Sequence, residues 1–175
     1  MNTQDNNEKP KYYDLISLIE TEQDIIFEKL TDLEKYAWRI ERAGLTDDVY
    51  AKVKELNKYI FDDVTEYFTL EEDLLLPELE KVMPGHSSSA VMREEHGRIL
   101  KICSSVNEML EEKSEAEKLN DVLQAEIISL VDVLQRHIRK KNQVLYHEVQ
   151  SMVPADTQQE IYLKMLKKIK PESSG

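Results

Sequence analysis

Four runs of apolar residues at steps of three and four constrain the fold of this chain more than any other feature. This spacing matches the 3.6-residue period of an α-helix, so each run predicts a helix with one apolar face. The runs cover about residues 14–42, 46–82, 92–113 and 123–152, and a shorter one follows. Only 4 glycines among 175 residues favour long helices over many short strands. We predict an all-α protein, an antiparallel up-down-up-down four-helix bundle with a short C-terminal fifth helix.

Capping and helix-breaking residues predict where these helices begin and end. Gly44 fits the position just after the first helix, where a left-handed backbone favours glycine. Pro77 is expected to kink or shorten the last turns of the second helix. Residues 114–118 are charged and small, which predicts a short break after the third helix. Asp156 or Thr157 is expected to cap the fifth helix.

Length and composition predict one folded domain between two tails. A chain of 175 residues is long enough to bury a single core. Residues 1–13 are polar and predict a flexible tail, whereas residues 14–153 form the predicted bundle. The fifth helix is expected over residues 154–170, and residues 171–175 are expected to be disordered.

The charge and the cysteine count exclude several classes of protein. With 23 basic and 35 acidic residues, the formal net charge is −12, which argues against a nucleic-acid partner because phosphate binding needs a basic face. No apolar run approaches the roughly 20 residues of a membrane span. The start of the chain has no secretory pattern, so we expect a cytoplasmic protein. Cys103 is the single cysteine, which excludes an intrachain disulfide. A protein partner and the oligomeric state stay open.

Six polar residues interrupt the apolar faces of the four long helices. They are Gln23 on the first helix, Tyr67 and Glu71 on the second, His96 on the third, and His137 and Lys141 on the fourth. A polar or charged group in a bundle core is costly unless it is paired or bound to a metal. In an antiparallel bundle, a rise of about 1.5 Å per residue puts all six at a similar depth. The sequence therefore predicts one internal polar layer.

The two halves of the chain repeat weakly, which supports paired positions for these polar groups. At an offset of 70 residues, Tyr67 aligns with His137 and Glu71 aligns with Lys141. The first and third helices align in the same way at an offset of 73. Two helical hairpins from a duplicated ancestor explain this pattern.

Two segments carry a resemblance to a known family. Glu95–Ile99, with the sequence EHGRI, and Phe68–Pro77, with an acidic residue ahead of an apolar run, resemble the hemerythrin-like, or HHE cation-binding, family. The resemblance covers about residues 14–153. It implies a four-helix bundle around a non-haem di-iron centre, held by histidines and two bridging carboxylates.

The resemblance carries ligands over only at matching positions. It implies three metal ligands, which are Glu71, His96 and His137. Three positions depart from the family pattern: Gln23 and Tyr67 stand in place of histidines, and Lys141 stands in place of the second bridging glutamate. The departures are grouped, so one iron position keeps its imidazoles and the other loses both. A di-iron centre of the usual kind is therefore not expected.

Each candidate ligand also has a plainer interpretation. His96 and His137 could be ordinary buried polar residues, and Glu71 could be neutralised by Lys141, with an ammonium in place of a metal. A metal would be repelled by that ammonium unless the long stem of Lys141 carries the charge away.

The remaining polar groups are weaker candidates. Tyr67 could bind iron as a phenolate, although a core tyrosine more often forms a hydrogen bond. Gln23 is a weak neutral donor that suits a hydrogen bond to a carboxylate. Glu72 and Glu95 flank the layer, and either could serve as an additional ligand.

Three hypotheses for the function follow. The first is a reduced site with one non-haem iron on His96, His137 and Glu71, serving oxygen or nitric oxide binding, iron handling or sensing. The second is a metal-free bundle with a Lys141–Glu71 pair that acts as a scaffold for another protein. The third is a b-type haem between His96 and His137, since facing imidazoles can be axial ligands. No nucleophile motif, phosphate loop or dinucleotide fingerprint is present.

Overall fold

The computed structural model describes residues 14–85 and 88–169, and within these ranges it contains helices and no strand. The α-helices are α1 (Leu15–Ala43), α2 (Asp47–Leu70), α3 (Leu76–Val82), α4 (Ser88–Met109), α5 (Lys113–Lys118), α6 (Asn120–Lys140), α7 (Tyr146–Met152) and α8 (Ala155–Ile169). Two single turns of π-helix, Glu71–Leu75 and Lys141–Leu145, join α2 to α3 and α6 to α7. The predicted tails at 1–13 and 171–175 lie outside the described residues.

The long helices form a four-helix bundle, which confirms the predicted fold. Helix α1 packs against α2 and α6, and α4 packs against the same two helices from the opposite side. Their buried faces are the predicted apolar runs, so leucine, isoleucine and valine fill one continuous core. Helix α8 packs across α1, as expected for the short fifth helix. In the described part of the chain, no helix combines the length and the apolarity needed to cross a bilayer.

Local capping explains where the first helix begins and ends. Asp14 accepts a hydrogen bond from the backbone N–H of Ser17 at 2.8 Å, and the backbone N–H of Asp14 donates to the Ser17 hydroxyl at 3.0 Å. Gly44 follows the helix with a φ of 74°, a left-handed conformation that glycine adopts without strain. Its backbone N–H donates to the carbonyl of Ile40 at 2.8 Å, as predicted for this position.

Two of the predicted boundaries are wrong. Residues 114–118 were expected to be a break, but they lie within α5. The helical pattern is instead interrupted on either side of α5, at residues 110–112 and at Leu119. Helix α8 begins at Ala155, ahead of the expected caps Asp156 and Thr157, because Pro154 already supplies a carbonyl to the backbone N–H of Gln158 at 2.9 Å.

The second long helical run reaches Val82, as its apolar pattern predicts, and widens into a π turn just ahead of Pro77. The π turn before it lets the backbone N–H of Leu76 donate to the carbonyl of Glu71, five residues back. The same turn recurs at Lys141–Leu145, where His147 takes the place of proline. Proline is therefore not the cause of the π turn, which is a property of both hairpins.

Candidate metal centre

The six polar residues predicted to share a layer are all buried in the bundle. Each side chain is at most 5% exposed. They come from four different helices, and two of them, Glu71 and Lys141, are the first residues of the two π turns. A π turn offsets the helix by part of a turn, and such turns are frequent at functional sites.

Three of the six bring potential ligand atoms together. One ligand atom from each of Glu71, His96 and His137 lies within 4.8 Å of the others. Nε2 of His96 is 3.3 Å from Oε2 of Glu71. Among the described residues, Nε2 of His96 and Nε2 of His137 have no hydrogen-bond partner. A buried nitrogen without a partner is a position that an ion or an ordered water can fill.

Two further carboxylates orient the imidazoles from outside. Nδ1 of His96 is 2.6 Å from Oε1 of Glu72, and Nδ1 of His137 is 2.8 Å from Oε2 of Glu95. A carboxylate at Nδ1 holds the proton there and leaves the Nε2 lone pair free to face inward. Glu72 and Glu95 were predicted to flank the layer, either as additional ligands or as residues behind the ligands, and in this structure they contact the outer ring nitrogens of the two histidines.

The surroundings of the histidines keep them rigid and favour the neutral form of His137. The ring of Phe68 stacks on His96 at a centroid distance of 3.8 Å, and the two imidazoles meet edge to face at 5.0 Å. Burial and the nearby Lys141 ammonium lower the pKa of His137 to about 4. A neutral imidazole is the form that binds a metal.

Lys141 occupies the other side of the Glu71 carboxylate. Its Nζ donates to Oε1 at 2.7 Å and to Oε2 at 3.0 Å, and both residues are 1% exposed. Burial opposes the charged form of Glu71, but Lys141 and His96 outweigh it and lower the pKa of this carboxyl to about 2. Burial also lowers the pKa of Lys141, against the opposing effect of Glu71. The pair is a buried ion pair with an ammonium where a second cation would otherwise meet the carboxylate.

The remaining part of the layer holds uncharged polar groups. Tyr67 and Gln23 lie there, together with Tyr146, which is 3% exposed and was not predicted. Both tyrosine hydroxyls and both polar atoms of the Gln23 amide lack hydrogen-bond partners among the described residues. Burial and Glu71 raise the pKa of Tyr67 well above its usual value, so the phenol is neutral. The 70-residue repeat aligns Tyr146 with Leu76, an ordinary core position, which gave no signal for it.

A family description for the hemerythrin HHE cation binding domain matches residues 14–149. The chain belongs to the hemerythrin HHE family. This confirms the resemblance inferred from the EHGRI and Phe68–Pro77 segments. No solved structure was found to match the chain.

Within this HHE domain the donor set fits one cation and not two. Two free imidazole nitrogens and one carboxylate oxygen converge on one side of the layer, where an ion could replace their missing partners. On the other side, Gln23 and Tyr67 replace imidazoles and the Lys141 ammonium already contacts the carboxylate. A second ion there would meet a positive charge in a buried site of low dielectric.

The same packing does not fit a haem in this HHE domain. A porphyrin between His96 and His137 needs a flat slot between the two rings. The rings are in edge-to-face contact, and Phe68 stacks directly on His96. A haem would therefore require these three rings to move apart, so the arrangement of the core does not support the third hypothesis.

Proposed function

We propose that this hemerythrin HHE domain binds a single non-haem ferrous ion through His96, His137 and Glu71. The observation that carries the proposal is the pair of buried, unpartnered Nε2 atoms beside one carboxylate oxygen. Glu72 and Glu95 fix the tautomers that aim both nitrogens inward. Glu71 would link the bound ion to the Lys141 ammonium, in place of the second ion of a di-iron centre.

The proposed role is binding of a small gas, oxygen or nitric oxide, or the sensing or handling of iron itself. Iron held by two histidines and one carboxylate keeps open coordination positions for a small ligand. The bundle core around the site is apolar and closed, so only small molecules can reach the ion. The ring of Phe68 and the hydroxyls of Tyr67 and Tyr146 line that core.

Anaerobic titration with ferrous iron tests the proposal. We expect one ion per chain, and a change in visible absorption when nitric oxide is added to the loaded protein but not to the metal-free protein. His96→Ala should lose the ion, because a site with one imidazole and one carboxylate is too weak. His147→Ala is the matched control, since His147 is exposed on the same hairpin as His137 and should bind iron as the parent does.

The metal-free scaffold is the second candidate, and the Lys141–Glu71 ion pair favours it. The pair already neutralises the buried carboxylate, so the bundle does not need a metal to balance its charge. If folded protein takes up no iron at micromolar concentrations and its melting temperature is unchanged by chelators, the single-ion site is wrong and the scaffold is supported.

A further inference from the structure

A groove lies next to the candidate metal centre, on the side of His137. It runs between α4 and α6, has a volume of about 220 Å³ and is lined at its base by the buried residues Ile99 and His137. Around them stand Arg98, Arg136 and Lys140. The proposed function makes no use of this groove.

The charge of this groove is opposite to that of the protein as a whole. Its lining carries three cationic side chains and one carboxylate, Glu95, in a chain whose net charge is −12. A groove on the other side of the layer carries three carboxylates and no cationic side chain in its lining. A concave surface with concentrated positive charge selects anions.

Two of the three cations are held in place by carboxylates. Nζ of Lys140 is 2.6 Å from Oε1 of Glu95, and Nη2 of Arg136 is 2.6 Å from Oδ2 of Asp132. Each pair cancels the charge of its cation as well as that of its carboxylate, so the net positive charge of the groove comes from Arg98. They also position the two cationic groups before a ligand arrives, which lowers the entropic cost of binding.

Arg98 is the cation that carries unsatisfied charge. In the described part of the chain, no carboxylate lies within ion-pair distance of its guanidinium, although it lines the groove. A guanidinium presents its N–H donors as a planar fork that matches the two oxygens of a carboxylate or phosphate. The groove thus combines two cations in ion pairs, Arg136 and Lys140, with the guanidinium of Arg98, which has no such pair among the described residues.

We propose that this groove binds a small oxyanion, of the phosphate or carboxylate class, with Arg98 as its main contact. The volume exceeds that of inorganic phosphate alone and suits a compact phosphate ester or a dicarboxylate. The ligand would lie against Glu95 and His137 without entering the bundle core. The proposal stands on the α4–α6 groove and does not depend on iron at the candidate centre.

Nuclear magnetic resonance titration of metal-free, full-length protein tests this site. The probes are inorganic phosphate and succinate, each added at constant ionic strength maintained with sodium chloride. We expect saturable shifts of backbone amides around Arg98 and Lys140. Arg98→Gln should weaken binding about tenfold or more, because a charge-assisted hydrogen-bonded pair is lost.

Lys101→Gln is the matched control for the loss of charge. Lys101 is exposed on the same helix as Arg98 but does not line the groove, so its variant should keep the parent affinity. Saturation by phosphate alone or by succinate alone identifies the class of oxyanion, and saturation by both indicates a general oxyanion site. The proposal is overturned if neither probe saturates, or if the two variants weaken binding equally, since that would be general electrostatic attraction.

Discussion

At the scale of single residues, the decisive feature of this protein is a buried ammonium. Lys141 lies in the bundle core, and its only charged contact at ion-pair distance among the described residues is Glu71. Taking two charges out of water is costly, and the attraction between them repays the cost only when both remain. The pair is therefore a strong constraint on substitution, whatever its net contribution to stability.

Lys141→Met should lower the free energy of unfolding by about 3–5 kcal/mol, because it leaves the Glu71 carboxylate buried and uncompensated. Combining it with Glu71→Leu should recover most of that loss. Lys140→Met removes a half-exposed ion pair with Glu95 and should cost at most about 1 kcal/mol. Urea unfolding gives the free energy of unfolding of all three variants. A Lys141→Met variant as stable as the parent would show that no buried pair exists.

At the scale of helices, the apolar period predicted the four long elements but not the two π turns. A sequence period assumes a constant 3.6 residues per turn, and no residue type marks the point where a helix widens. Val144 and Leu145 both belong to the apolar run of the fourth helix, yet Val144 is 44% exposed, whereas Leu145 is buried. The same offset brings Tyr146 into the polar layer. The layer itself was predictable because polar residues on an apolar face stand out, whereas an added tyrosine does not.

Pro77→Ala tests whether the π turn depends on proline. The equivalent turn at Lys141–Leu145 forms ahead of His147, so we expect the variant to keep its helical circular dichroism. Its free energy of unfolding should change by no more than about 1 kcal/mol. His147→Ala is the control at the equivalent position of the other hairpin. A clear loss of helix content in Pro77→Ala alone would contradict a π turn shared by both hairpins.

At the scale of the whole molecule, two similar hairpins meet at one layer and contribute unequally to it. The side with His96 and His137 brings together the possible ligand group, while the side with Gln23 and Tyr67 holds uncharged polar groups. The sequence repeat and the family match both point to an origin in which the sides were more alike. The bundle that positions the layer is held by an extensive apolar core.

Restoring the family pattern should therefore restore a second ion. The triple variant Gln23→His, Tyr67→His and Lys141→Glu returns two imidazoles and one bridging carboxylate to the layer. We expect it to bind two irons per chain under reducing conditions, as measured by metal analysis. The double variant that keeps Lys141 should not gain the second ion, because the ammonium repels it. A folded triple variant with no more iron than the parent would show that these positions do not converge.

The Lys141 ammonium also determines the charge balance of the core when no metal ion is bound. Chelators, oxidants and competing metals can strip an ion from a site, but none of them removes a group that is covalently attached to the chain. An HHE bundle emptied of two ions would be left with buried carboxylates that repel one another. Here the ammonium is part of the chain, so the Glu71 carboxylate has a buried counter-charge whether or not the site holds an ion.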